Sequence, residues 1–136
     1  MIDISSHEIF WLVLTVVLTA LLWIPQILHS ILRAGLNTAL LYPDEAATHY
    51  ADWAVRSKAA HNNAVENLVI FAPLVLLVLS LDIGNELTAL TTLVYFLARI
   101  FHYGMHVLAI PLMRTVAFLI GFACQLILGI SILSIL

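Results

Sequence analysis

"RSKAAHNNAVENLVIFAPLVLLVLSL", residues 56–81, decides how this chain is read. The second half is apolar enough to lie in hydrocarbon. The first half places Arg56, Lys58, His61, Asn62, Asn63, Glu66 and Asn67 in the same continuous run. A helix that enters a membrane with a carboxylate, two cations, a histidine and three carboxamides needs a use for them, because each ionisable group near the bilayer centre costs at least ~2.5–3.5 kcal/mol.

The composition around this stretch is that of an integral membrane protein. The 136 residues are 63% hydrophobic and 10% charged, with a mean hydropathy of +1.10, whereas a soluble domain is about a quarter charged. The length suits one domain. The net charge is −3 and no basic run is present, which argues against nucleic acid as a partner. The single cysteine, Cys124, lies in an apolar run and reads as a small core residue. The start, "MIDISSHEIFWLVLTVVLTALLWIP", has Asp3 and Glu8 instead of a positive cluster and an apolar run too long for a signal peptide, so it reads as a retained first membrane helix.

Crossing the hydrocarbon takes ~20 largely apolar helical residues. Four stretches qualify, giving an all-α, multi-pass bundle in a single domain 1–136, with spans at about 9–32, 52–81, 86–108 and 112–135. Pro25 interrupts the first span. "LDIGNE" makes a short turn in which Gly84 and Asn85 act as breakers, and "LAIPLMR" makes another because Pro111 can start a helix but not continue one. A longer connection runs from Arg33 to Ala51. All five basic residues, Arg33, Arg56, Lys58, Arg99 and Arg114, fall toward one side of this arrangement, and Asp3, Glu8, Asp82 and Glu86 toward the other. The positive-inside rule then turns both termini away from the cytoplasm, and a bacterial inner membrane is the expected location.

Two polar stripes emerge at the basic side. At roughly 100° per residue, Asn63 and Asn67 fall within about 20° of Arg56, with Glu66 and Asn62 roughly 80° and 120° round the helix. On the third span Arg99, His102 and His106, flanked by Tyr95 and Tyr103, occupy an arc of roughly 100°. Pairing Glu66 with Arg99 or Arg56, with the asparagines completing the bonds, would be the least costly arrangement, and it could serve only to hold helices together. Against that, Arg56, Lys58, Arg99 and Arg114 outnumber Glu66 in this layer, and surplus arginine in a dry place calls for an anionic ligand.

"RSKAAHNNAVEN" followed by an apolar run resembles the signature of the membrane-associated proteins in eicosanoid and glutathione metabolism, the MAPEG family. "ARIFHYGMHVLAIPLMRT" is similar to the family's second signature, and the resemblance covers nearly the whole chain. It implies a homotrimer of four-helix protomers that binds glutathione at subunit boundaries on the cytoplasmic side, as co-substrate for a transferase or peroxidase acting on lipophilic small molecules delivered from the membrane lipid. By the same resemblance Glu66 would receive the glutathione amino group and Asn63 its peptide or carboxylate. His102 would line the pocket, Arg33 would hold a carboxylate, and Arg114 would stand near the thiol. Arg56, Arg99, Tyr103 and His106 complete the candidate site. Asn62 stands where some members carry a binding arginine, and His106 where many carry a tyrosine.

In the chemistry this implies, Arg114 is the catalytic cation that lowers the thiol pKa from its ordinary value of about 8.5, with Thr115 or Tyr103 as hydroxyl donors to sulfur. The thiolate attacks a lipophilic electrophile or reduces a hydroperoxide. Two alternatives are a non-catalytic membrane protein that keeps the fold for assembly or ligand binding, and a metal site using His102 and His106 with Glu66 and His61. The spacing of the histidines alone does not favour a metal. His7, His29 and His49 read as packing residues.

Overall fold

The computed structural model describes the backbone from residue 4 and the side chains from residue 7 to 136; Asp3 lies outside the described residues. It is all-helical. Helix α1 (Ile4–Leu21) and α2 (Ile24–Ala34) are separated only by Leu22 and Trp23. Short α3 (Leu36–Leu41) and α4 (Pro43–Ala47) follow, then the long α5 (Asp52–Ser80), α6 (Glu86–Val107) and α7 (Pro111–Leu133). Pro25 sits in the first turn of α2, where its missing N–H is not needed. Gly35, at φ 84°, separates α2 from α3 in a conformation that costs glycine little.

Among the described residues three stretches are long and apolar enough to cross a membrane: His7–Ala34, Asp52–Ser80 and Pro111–Leu133. Helix α6 is long enough at 22 residues, but Glu86, Arg99, two histidines and three threonines are spread along it, so that it has no uninterrupted apolar stretch like those of the other three. It is nonetheless the hub of the packing, touching α1, α5 and α7, while α5 also meets α1 and α7. Leu12, Phe71, Val75, Val78, Tyr95, Cys124, Leu128 and Ile132 form the shared core, with the Phe71 and Tyr95 rings stacked 3.6 Å apart. Cys124 is buried there, as the sequence suggested. Large apolar side chains such as Val13, Ile70, Leu90, Leu119 and Ile130 face outward, the reverse of a soluble protein. Inside, Thr15, Thr19, Thr91 and Thr92 satisfy their hydroxyls on carbonyls of their own helices.

Both turns close by the same device. At the end of α5 the N–H of Asp82 bonds Leu79 O and that of Ile83 bonds Val78 O. At the end of α6 the N–H of Ala109 bonds His106 O and that of Ile110 bonds Met105 O. These are Schellman motifs, and their left-handed residues are Asp82 (φ 53°) and Ala109 (φ 59°), not glycine. Gly84 therefore has a different job from the breaker role the sequence suggested. A Cβ there would stand 2.7 Å from Glu8 Oε2, so glycine makes room for a buried carboxylate that accepts from Thr88. Asn85 does act at the boundary, capping α6 in a capping box with Thr88. Pro111 opens α7.

Candidate functional site

The site lies at the end where α6 finishes and α5 and α7 begin. Three bonds tie α5 to α6. Arg56 Nε donates to the Val107 carbonyl at 2.8 Å, the Ser57 and Tyr103 hydroxyls bond at 2.6 Å, and Arg99 Nη1 donates to Asn63 Oδ1 at 3.3 Å. The first places a cation on the open carbonyls of a helix C-terminus, a favourable position. His29 supports the same end from α2: its Nε2 accepts from Ala51 N–H at 3.0 Å, and its ring packs edge-on to Trp53, the structural role expected of it.

Arg99 is the centre of the arrangement. It is 3% exposed, its guanidinium lies 5.8 Å from the Tyr95 ring centroid, and its one side-chain partner is a neutral amide. Among the described residues its Nε and Nη2 have no hydrogen-bond partner, and neither does the buried Tyr95 hydroxyl. A buried guanidinium left with open donors is costly, which makes it a strong attractor for an anion. His102 is buried one turn further along α6. It meets His106 edge-on at 5.6 Å and Phe118 of α7 at 6.4 Å. His106 Nδ1 is also buried without a partner among the described residues. Arg114 is half-buried in the first turn of α7.

The expected pairing of Glu66 with Arg99 or Arg56 does not form within the chain. Arg99 bonds Asn63 instead, and Arg56 bonds the backbone. The reason is helical geometry. Arg56, Asn63 and Asn67 sit on the arc of α5 turned toward the bundle, whereas Lys58, Asn62 and Glu66, spaced by four, form a second stripe that is exposed. Arg33 is likewise exposed, in the last turn of α2, away from this cluster's bonds. The two hydroxyls assigned to the sulfur are engaged elsewhere: Tyr103 on Ser57 and Thr115 on the Pro111 carbonyl. No group of three His, Cys, Asp or Glu converges among the described residues, so His102, His106, Glu66 and His61 do not form a metal cluster.

Gln125 joins this network without a motif in the sequence to mark it. It is buried on α7 and its Nε2 donates to the backbone oxygen of Asn67 at 3.2 Å. The available signal was its isolation as the lone carboxamide of an apolar span. A groove of about 240 Å³ on the neighbouring face of α6, lined by Val94, Leu97, Ala98, Phe101, Ala117 and Ile120, is wholly apolar.

No curated protein and no solved structure matches the chain significantly. The family model described as "MAPEG family" matches residues 9–134. An integral membrane protein with this polar cluster, aligned to that model over nearly its full length, is a member of the MAPEG family.

Proposed function

We propose that the protein is a glutathione-dependent membrane transferase or peroxidase acting on lipophilic electrophiles or hydroperoxides. The observation that carries this reading is the buried Arg99 guanidinium, held by a neutral amide and left with two open donors. Such a group suits the carboxylate of a small anionic ligand, since arginine matches carboxylates in a two-point fork. Family membership supports glutathione as that ligand. The outward stripe of Lys58, Asn62 and Glu66 supports a homotrimer, because a charged stripe on a membrane-spanning helix is costly against lipid and is relieved when a second copy covers it. Glu66 would then meet the ligand's ammonium from a subunit boundary, with Arg33 and Arg56 flanking a carboxylate. In this reading α6 is a fourth span, shielded by its neighbours, both termini face away from the cytoplasm, and a bacterial inner membrane is the location.

Arg114, in the first turn of α7, supplies the cation that favours the thiolate. The thiolate forms a carbon–sulfur bond with the electrophile, whose leaving group departs with the electron pair. With a hydroperoxide, two glutathione molecules become the disulfide while the peroxide becomes an alcohol and water. The apolar groove of α6 and α7 suits the second substrate's hydrocarbon.

Purified protein in lipid nanodiscs, given glutathione and an aryl halide, should form the conjugate. Arg114→Ala should abolish the thiolate absorbance without dispersing the oligomer, and undiminished thiolate would remove Arg114 from its role. Glu66→Gln should weaken glutathione binding. A wild-type protein that binds glutathione and turns over neither electrophile nor hydroperoxide would favour the non-catalytic alternative.

A further inference from the structure

A chain of carboxamides crosses the bundle interior from α7 to the candidate site, and each link has a fixed direction. Gln125 Nε2 lies 3.2 Å from the backbone oxygen of Asn67 and 3.4 Å from its Oδ1. Asn67 Nδ2 lies 2.8 Å from the backbone oxygen of Asn63 and 3.3 Å from its Oδ1. Arg99 Nη1 reaches the same Oδ1. A backbone carbonyl can only accept and a guanidinium can only donate. The Gln125 amide must therefore turn its nitrogen to Asn67, the Asn67 amide must turn its nitrogen to Asn63, and Asn63 must turn its oxygen toward Asn67 and Arg99.

The consequence falls on Asn63. With its Oδ1 accepting from two donors, its Nδ2 amino group is left outside the network, with no partner among the described residues. Asn63 is half-buried, so this group can meet a ligand. The amide is locked as a donor and cannot reverse without placing N–H against N–H at Arg99.

We infer that Gln125 is a positioning residue that, through Asn67, holds Asn63 in the orientation that offers two N–H donors to a ligand carbonyl or carboxylate. This rests on the glutathione reading above and adds to it a residue on a third helix, remote from the ligand. It also sets a specificity: the ligand group at Asn63 must be an acceptor. Gln125→Glu tests this most directly. The carboxylate keeps the shape of the side chain but can only accept. It faces the Asn67 backbone oxygen and Oδ1, two acceptors, and so repels the Asn67 side chain from its place against Asn63, breaking the relay. Gln125→Leu removes the relay while leaving an apolar core residue that suits the surrounding span.

The experiment titrates glutathione into wild-type, Gln125→Leu and Gln125→Glu protein in nanodiscs, and records the ¹⁵N side-chain amide resonance of Asn63 in ligand-free samples. Both variants should bind glutathione roughly five- to tenfold more weakly, the effect of losing about one hydrogen bond. The glutathione KM should rise in step while kcat at saturation holds, and the Asn63 resonance should move before any ligand is added. Wild-type binding with unchanged affinity in both variants overturns the relay and leaves the glutathione reading intact. If wild-type protein binds no glutathione, the functional reading falls and the Asn63 resonance alone decides: displaced in both variants, the relay stands; undisplaced, it falls.

Discussion

Ala109 holds a left-handed conformation (φ 59°) in which its Cβ crowds the following carbonyl oxygen. Replacing it with glycine should stabilise the protein by about 1 kcal/mol, read as a higher midpoint in a sodium dodecyl sulfate unfolding titration. No gain would mean the turn is not held in this conformation. Gly84 is the opposite case. The space for a Cβ is taken by the Glu8 carboxylate at 2.7 Å, and that carboxylate is pinned by Thr88 and fully buried. Gly84→Ala should cost about 1–3 kcal/mol, the usual penalty of overpacking, in the same titration, and Glu8→Ala in the same background should recover part of the loss. The left-handed positions were not legible in the sequence, because neither is a glycine and only the capping hydrogen bonds identify them.

At the scale of elements, α5 and α6 run antiparallel, and their three ties step in opposite directions along the two chains: Arg56 to Val107, Ser57 to Tyr103, Asn63 to Arg99. Tyr103→Phe deletes the middle one. It should cost about 1 kcal/mol of stability and leave glutathione turnover nearly unchanged, since that hydroxyl is already engaged with Ser57. A collapse of turnover with stability intact would instead place the Tyr103 hydroxyl at the sulfur. The helices themselves were legible from residues 52 to 133, where long apolar runs are punctuated by "LDIGNE" and "IP". The partners were not. A polar stripe read from a 3.6-residue period gives the side of a helix, but not which neighbour stands there. That is why the sequence suggests Glu66 for Arg99 or Arg56, while the fold gives Arg99 to Asn63 and Arg56 to the Val107 carbonyl.

The whole molecule presents apolar side chains outward on nearly every long helix and one charged stripe, Lys58–Asn62–Glu66, on α5. If a second copy covers that stripe, the wild-type protein should travel as a trimer in native mass spectrometry from nanodiscs. Glu66→Arg, which replaces the stripe's one anion with a second cation two turns from Lys58, should then lower the trimer fraction severalfold. A wild-type monomer at micromolar concentration would sink the assembly. The sequence by itself determined that this chain is all-helical and membrane-embedded, and that its basic residues gather toward one end, because hydropathy and helical period are properties of the chain. Only the tertiary structure decided that Arg99 is buried with open donors, that Gln125 joins the network from α7, and that Glu66 faces outward. Those outcomes depend on which helices touch and at what rotation, and many rotations are compatible with the same apolar surface.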